Sequence, residues 1–253
     1  MRVHLVQYDI AWGDPPANRA KVTGLVERAA PAAGDLIVLP ETAFTGFDLD
    51  PSRTLPDAAD AEAFLADLAR RHRCTVVGGL VASDALGRAA NQSLAFSPSG
   101  EILARYAKIQ PFTLGGERRV HAPGERIVRF DWQGLSVAPF ICYDLRFPEL
   151  FREATRAGAE MFVVIASWPA RRTHHWVTLL LARAIENQAV VVGVNRCGTD
   201  PGATYLGRSV VVSPHGYVVA DAGEREQVVT APIDPDEIRA WRRDFPALRD
   251  MGE

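Results

Sequence analysis

Cysteine is scarce in this chain: Cys74, Cys142 and Cys197 are the only three among 253 residues. An odd, scattered set with no second cysteine two to four positions away excludes a disulfide framework and the paired ligands of a structural zinc site. It fits a reducing cytoplasm. A surplus of either charge is also missing, the formal net charge being -3 at pH 7, so nothing is available to neutralise a phosphate backbone and nucleic acid is not an expected partner. No apolar run approaches the ~18 residues of a membrane span, and His4 and Gln7 interrupt the stretch that a signal peptide would need. Neither membrane insertion nor secretion is expected. Low-complexity linkers and internal repeats are absent, which leaves one domain over residues 1–253. Gly78-Gly79 is followed by neither the further glycines nor the lysine of a phosphate loop, so nucleotide binding lacks support.

What is present is the balance of a globular protein with a large core, 47% hydrophobic and 23% charged. Short runs rich in Val, Ile and Leu alternate with amphipathic stretches. Strands are expected at 2–8, 35–39, 75–82, 91–97, 101–108, 126–131, 135–141, 161–166, 189–195, 203–213, 217–220 and 227–232. Ser97-Pro98-Ser99-Gly100 and Ser213-Pro214-His215-Gly216 have the chemistry of hairpin turns, since Pro pre-sets one dihedral and Gly accepts positive φ. Helices are expected at 16–30, 59–72, 148–157, 173–188 and 234–242, beginning near Pro or Asp. The fourth carries Trp176, Val177, Leu179, Leu180, Leu181, Ala184 and Ile185, too apolar a surface for water, and is expected to be covered on both sides, between layers or at a subunit interface. Hairpins interleaved with crossover helices point to a mixed α/β sandwich.

Three residues at strand ends carry chemistry. Cys142 follows the apolar run 136–141 and precedes a helix that begins at Pro148, an elbow of strand, turn and helix. The unpaired N–H groups of a nearby helix start would favour thiolate over thiol and could bind an oxyanion. Glu41 stands where the run 35–40 emerges, a placement suited to proton transfer with a thiol or a leaving amine. Lys108 ends the strand 101–107, where its cation could stabilise a thiolate or a tetrahedral oxyanion. Taken singly, each has a plainer reading: Cys142 as a small buried hydrophobe, Glu41 as a helix cap or loop residue, Lys108 as a solvated lysine. Their shared setting at strand ends, where α/β folds build sites, favours the chemical one.

The segments Leu39-Pro40-Glu41, Tyr106-Ala107-Lys108-Ile109 and 141–150, from Ile141-Cys142-Tyr143 through Arg146-Phe147-Pro148 to Leu150, resemble the nitrilase superfamily of carbon-nitrogen hydrolases in order and separation. The resemblance continues through Ala166-Ser167-Trp168-Pro169, the run 182–188, Val194-Asn195-Arg196 and Gly207-Arg208-Ser209, and so covers almost the whole chain. It implies a single-domain, four-layer α-β-β-α sandwich assembled as a homodimer or higher homo-oligomer. It also implies Cys142 as nucleophile, Glu41 as general acid and base, Lys108 as the lysine, and Glu117, six residues before Pro123-Gly124, as a second glutamate. The neighbouring Arg118 and Arg119 offer Glu117 an ordinary surface ion pair instead. The implied reaction is attack on an amide carbonyl, the oxyanion held by Lys108 and the Tyr143 backbone N–H, through a thioester that water resolves. It requires no metal, cofactor or histidine.

Within the superfamily, Trp168 to Trp176 and the tail from Arg243 to Leu248 are most similar to omega-amidases, which act on the terminal amide of small 2-oxo acids such as 2-oxoglutaramate. Such a substrate needs a cationic anchor for its carboxylate, and a guanidinium is well shaped for it. Arg171 or Arg172 is the expected anchor and Arg146 the competitor; both members of the 171–172 pair also read as solvated residues at a helix start. Phe44, Tyr143 and Trp168 are expected to wall the pocket. Gln110-Pro111 departs from the histidine and leucine of many relatives, which bears on the shape of that loop. A deaminated-glutathione amidase or a carbamoyl-amine hydrolase would use the same catalytic set, and an inactive scaffold of the same fold would need none of it. The tail 241–253 is expected to dock on a partner subunit or on its own domain.

Overall fold

The computed structural model describes residues 1–251. Strand periodicity determines its layering. In β1 (Arg2–Gln7) Val3 and Leu5 enter one apolar cluster and Val6 another; in β2 (Leu36–Val38) Leu36 and Val38 join the first and Ile37 the second. Strands apolar on both faces must be covered on both. The outer cover comes from α1 (Pro15–Ala29) and α3 (Ala58–His72), which contribute Val22, Leu25, Val26, Leu65 and Leu68; a short α2 (Pro51–Thr54) precedes α3. The inner cover is a second sheet.

The first sheet is completed by β3 (Thr75–Ser83), β4 (Ala89–Phe96), β5 (Ile102–Ala107) and β14 (Gln227–Pro232), in the order β14-β1-β2-β3-β4-β5. The second contains β6 (Phe130–Trp132), β7 (Leu135–Ile141), β8 (Met161–Ala166), β9 (Val190–Asn195), β12 (Val210–Val212) and β13 (Val218–Asp221), in the order β13-β12-β9-β8-β7-β6. A small ribbon of β10 (Cys197–Thr199) and β11 (Thr204–Leu206) stands apart. The helices α4 (Pro148–Arg156) and α5 (Thr173–Asn187) bury Phe151, Ala154, Trp176 and Leu180 against the second sheet, and α6 (Pro235–Asp244) follows the last strand. The result is the four-layer α-β-β-α sandwich. In both sheets the central strands are parallel, β1-β2-β3 and β7-β8-β9, so their carboxyl ends can open onto one region.

The expected elements are found with several differences, the first being β10 (Cys197–Thr199), a strand the sequence pattern does not predict. The strand expected over 203–213 divides into β11 and β12, because Gly207 (φ +62°) and Arg208 (φ +56°) adopt left-handed backbone that turns the chain out of the ribbon. The strand expected at 126–131 contracts to Phe130–Trp132. Helix α2, capped by the Asp50 side chain accepting from Ser52 N at 2.9 Å, is too short to show a periodic pattern. Finally, α5 is not enclosed between layers of the one chain: Trp176, Leu180 and Ala184 are buried, whereas Ile185 is 56% exposed, which leaves the subunit interface as the alternative for its outer side.

The tail packs on its own domain. Trp241 lies against His215 and Phe245 stacks on Trp241, while Gln188 Nε2 donates to Phe245 O at 2.8 Å. Phe245 remains 54% exposed. Gly252 and Glu253, the end of the expected tail, lie outside the described residues. Among the described residues no helix is long and apolar enough to cross a membrane.

Candidate active site

Glu41 leaves the end of β2 by passing directly over β3. The approach is so close that a Cβ at Gly79 would lie 2.7 Å from Glu41 Cα and Thr42 N, so only glycine admits this path. The chain then turns at Thr42, φ +45°, and Ala43 N donates to Gly79 O at 2.9 Å. Lys108 follows β5 and is tied to the neighbouring strand by its N–H, 2.9 Å from Asn91 O. Glu117 opens a 3-10 turn in the following loop.

These three side chains meet in a buried cluster. Lys108 Nζ donates to Glu41 Oε1 at 2.8 Å and to Glu117 Oε2 at 2.8 Å. Asn91 Nδ2 donates to Glu41 Oε1 at 2.7 Å and to Glu117 Oε1 at 2.9 Å. The backbone N–H groups of Ser167 and Phe112 complete the set, on Glu41 Oε2 (2.7 Å) and Glu117 Oε2 (2.6 Å). Burial would strip the charge from Lys108, but Glu117 and Glu41 override it and hold the ammonium well above its usual range. Burial likewise works against the Glu117 carboxylate, and Lys108 reverses the effect and holds it below the usual range. Glu117 is therefore a buried partner of Lys108, not a surface partner of Arg118 and Arg119. Lys108 Nζ also donates to Glu117 Oε1 at 3.2 Å, the longest of its three bonds and so the one most readily given up to another acceptor.

Cys142 stands beside this cluster at the end of β7, in left-handed backbone with φ +47°, a conformation that costs a non-glycine residue about 1–2 kcal/mol. A 3-10 turn (Cys142–Arg146) and then α4 follow, so the elbow is present. Asp144 staples it: its carboxylate accepts from Ile141 N (3.0 Å), Tyr106 Oη (2.8 Å) and Gln110 N (2.8 Å). The last bond uses the backbone of Gln110, so the loop after Lys108 is held whatever side chain stands there. The expectation that the helix start favours thiolate is corrected. Burial, followed by the Glu41 charge, pushes the Cys142 thiol well above its usual range, and the Lys108 cation does not compensate. The surroundings therefore favour the thiol over the thiolate.

A cleft of about 280 Å³ opens above Cys142, the size of a small-molecule site. Tyr143, Trp168, Arg146, Arg171 and Arg172 line it, as expected. Phe44 does not. It is buried beneath the sheet against Phe64, with ring centroids 5.3 Å apart, and Phe47 takes the cleft position, its ring 5.3 Å from Lys108 Nζ. The loop between them has no period from which the inward face could be read. Arg146 lies over the Trp168 ring at 4.8 Å, and Arg172 lies over Phe112 at 5.4 Å. Burial, Arg171 and Arg146 all lower the affinity of Arg172 for its proton. None of the three arginines forms an ion pair among the described residues, so the wall carries positive charge that no carboxylate neutralises. No group of three or more His, Cys, Asp or Glu side chains among the described residues could hold a metal ion.

A family model for carbon-nitrogen hydrolases matches residues 2–243. The chain belongs to that family. The 2-oxoglutaramate amidase of Bacillus subtilis is 34% identical to it over 98% of this chain and 96% of the relative. The omega-amidase YafV of Yersinia enterocolitica is 35% identical, over 99% and 96%. A CN-hydrolase superfamily protein of Xanthomonas campestris, solved with an arsenic adduct in its active site, superposes with a TM-score of 0.93 at 33% identity, covering 100% of this chain and 97% of that one. This carbon-nitrogen hydrolase places at the site residues that sequence reasoning missed. Asn91 bridges both carboxylates, and its only signal was a polar side chain inside a buried strand. Trp12, Phe47, Leu49, Phe112 and Tyr205 line the cleft from loops and the β10-β11 ribbon, with no pattern to announce them.

Proposed function

We propose that this hydrolase removes the terminal amide of a small 2-oxo acid of the 2-oxoglutaramate kind, giving the acid and ammonia through a thioester on Cys142. The observation that carries the reading is one cleft with Cys142 and the Glu41, Lys108 and Glu117 cluster on its floor and three acid-free arginines on its wall. Glu41 takes the thiol proton and sulfur attacks the amide carbonyl. The transfer is internal, so the charge of the cluster does not change. The oxyanion is received by the Lys108 N–H that gives up its long bond to Glu117 Oε1 and by the Tyr143 backbone N–H, in the first turn of a helix where N–H groups lack internal acceptors. Collapse expels the nitrogen, Glu41 returns the proton to it, and ammonia leaves. Glu41 then takes a proton from water as its oxygen attacks the thioester, and collapse releases the acid while the proton returns to sulfur. Arg172, Arg171 or Arg146 holds the substrate carboxylate at the remote end.

The names of the relatives support this amide, and the modest cleft favours it over a deaminated peptide or a larger carbamoyl amine. The half-covered face of α5 and the exposed Phe245 support a homodimer with the tail at or near its interface. Three free thiols support a cytoplasmic setting. Ammonia release across a panel of 2-oxoglutaramate, 2-oxosuccinamate, deaminated glutathione and a carbamoyl amine tests the assignment. The expected result is preference for the 2-oxo acids, a loss of more than about 10⁴-fold in C142A, and a KM raised about tenfold or more when the anchoring arginine becomes alanine, with kcat less affected. Turnover that survives Cys142→Ala overturns the mechanism, and no turnover of any member favours the scaffold.

A further inference from the structure

Asn195, the last residue of β9, takes no part in these steps, yet its bonds are aimed at the peptide beside Glu41. Its Oδ1 accepts from Trp168 N at 2.7 Å, while its Nδ2 donates to Trp168 O at 3.1 Å and to Gly207 O at 2.9 Å. One buried amide therefore holds both main-chain polar groups of Trp168. The preceding residue, Ser167, is the one whose N–H donates to Glu41 Oε2. Asn195 is itself anchored: its N–H donates to Ser209 Oγ (3.0 Å), Ser209 Oγ donates to Gln7 Oε1 (2.8 Å), and Gln7 Nε2 donates to Gly223 O (3.0 Å) and Arg225 O (2.8 Å). Gln7 belongs to the first sheet and Asn195 to the second. The chain of bonds thus ties the sheets together at the end where Glu41, from one, meets Ser167, from the other.

Lone-pair counting gives the tie a consequence. Glu41 Oε1 already accepts from Lys108 and Asn91, whereas among the described residues one N–H, that of Ser167, donates to Oε2, so Oε2 has the capacity left for the Cys142 proton. Ser167 N–H determines where that oxygen points. Trp168 carries Arg146 on its ring and donates from Nε1 to Arg172 O at 2.8 Å. We propose that Asn195 is a positioning residue that fixes the Ser167–Trp168 backbone, aiming Glu41 Oε2 at Cys142 and setting the arginine wall with the same clamp. The proposal rests on the reading of Glu41 as the base.

The test follows alkylation of Cys142 by iodoacetamide at neutral pH, read by mass spectrometry of its peptide, together with kcat and KM for amide hydrolysis, in the full chain. Asn195→Asp keeps the shape but turns the donor that faces two carbonyls into an acceptor. It is expected to slow Cys142 alkylation and lower kcat about tenfold or more, and to raise KM. Ser209→Ala, which loosens the anchor of Asn195, is expected to do the same to a smaller degree and carries the test if N195D does not fold. A lowered thermal midpoint with unchanged alkylation and kcat in the folded variants overturns the proposal. Glu41→Gln separates the two layers of the argument. Slowed alkylation in E41Q but not in N195D or S209A removes the clamp alone, and unchanged alkylation in E41Q removes the base reading and the clamp with it.

Discussion

Asp144 is fully buried and receives three donors, from Ile141 N, Tyr106 Oη and Gln110 N. Burial nevertheless outweighs them and raises its pKa from 3.8 to about 7. An acid whose folded value exceeds its unfolded one binds its proton more tightly in the folded state. Its contribution to stability is therefore complete below about pH 4 and lost as pH rises through about 7. The shift corresponds to roughly 4 kcal/mol at most. Asp144→Asn has no proton to lose, so the stability of the wild type relative to D144N should fall by up to that amount between about pH 4 and pH 8. Denaturant unfolding at both pH values checks it, and parallel curves would refute the neutral carboxyl. The same arithmetic of burial against charge governs Cys142, and it was not legible in the sequence. The motif named the sulfur, but its protonation state is a sum over Glu41, Lys108, Glu117 and the loss of water, which only their distances supply.

At the level of elements, the site depends on strand ends brought closer than side chains normally allow. Gly79 on β3 is the clearest case, because the Glu41 segment lies where its Cβ would be. Gly79→Ala is expected to destabilise the fold by about 1–3 kcal/mol through overpacking and, by moving Glu41 off Lys108 and Cys142, to lower kcat well beyond what the unfolded fraction explains. Steady-state kinetics at a temperature where the variant is folded checks this; full activity there would mean that the segment can move aside without cost. Gly79 was visible in the sequence only as a glycine that failed to make a phosphate loop. Glu41, Lys108 and Cys142 were legible because each directly follows an apolar strand, and a strand end has a definite place at the edge of a sheet. Phe44 and Phe47 were not distinguished, since three residues of irregular loop decide which ring turns inward.

For the whole molecule, the open question of the surface is α5. Its inner stripe fills the core against the second sheet, while Ile185 on the outer side is 56% exposed, close to the turn before Tyr217, itself 74% exposed. The proposed homodimer would cover these side chains. Sedimentation of the full chain is expected to give the proposed dimer, and Ile185→Asp, which would place a charge in the proposed interface, is expected to shift it toward monomer. A wild-type monomer at micromolar concentration would refute that assembly.

The sequence by itself determined the class of the fold and the family, and it named the candidate reacting groups. Apolar periodicity specifies which faces are buried, and the motif residues sit at the ends of the strands so specified. The tertiary structure alone decided the rest: that Glu117 faces Lys108 and not its neighbouring arginines, that Asn91 and Asn195 brace the cluster from separate sheets, that Phe47 replaces Phe44 at the wall, and that burial and Glu41 favour the Cys142 thiol over the thiolate. Each of these is set by contacts between segments far apart in the chain and by the exclusion of water they produce together. A linear pattern carries periodicity, but it does not carry the sum of distances from which such charges and bonds follow.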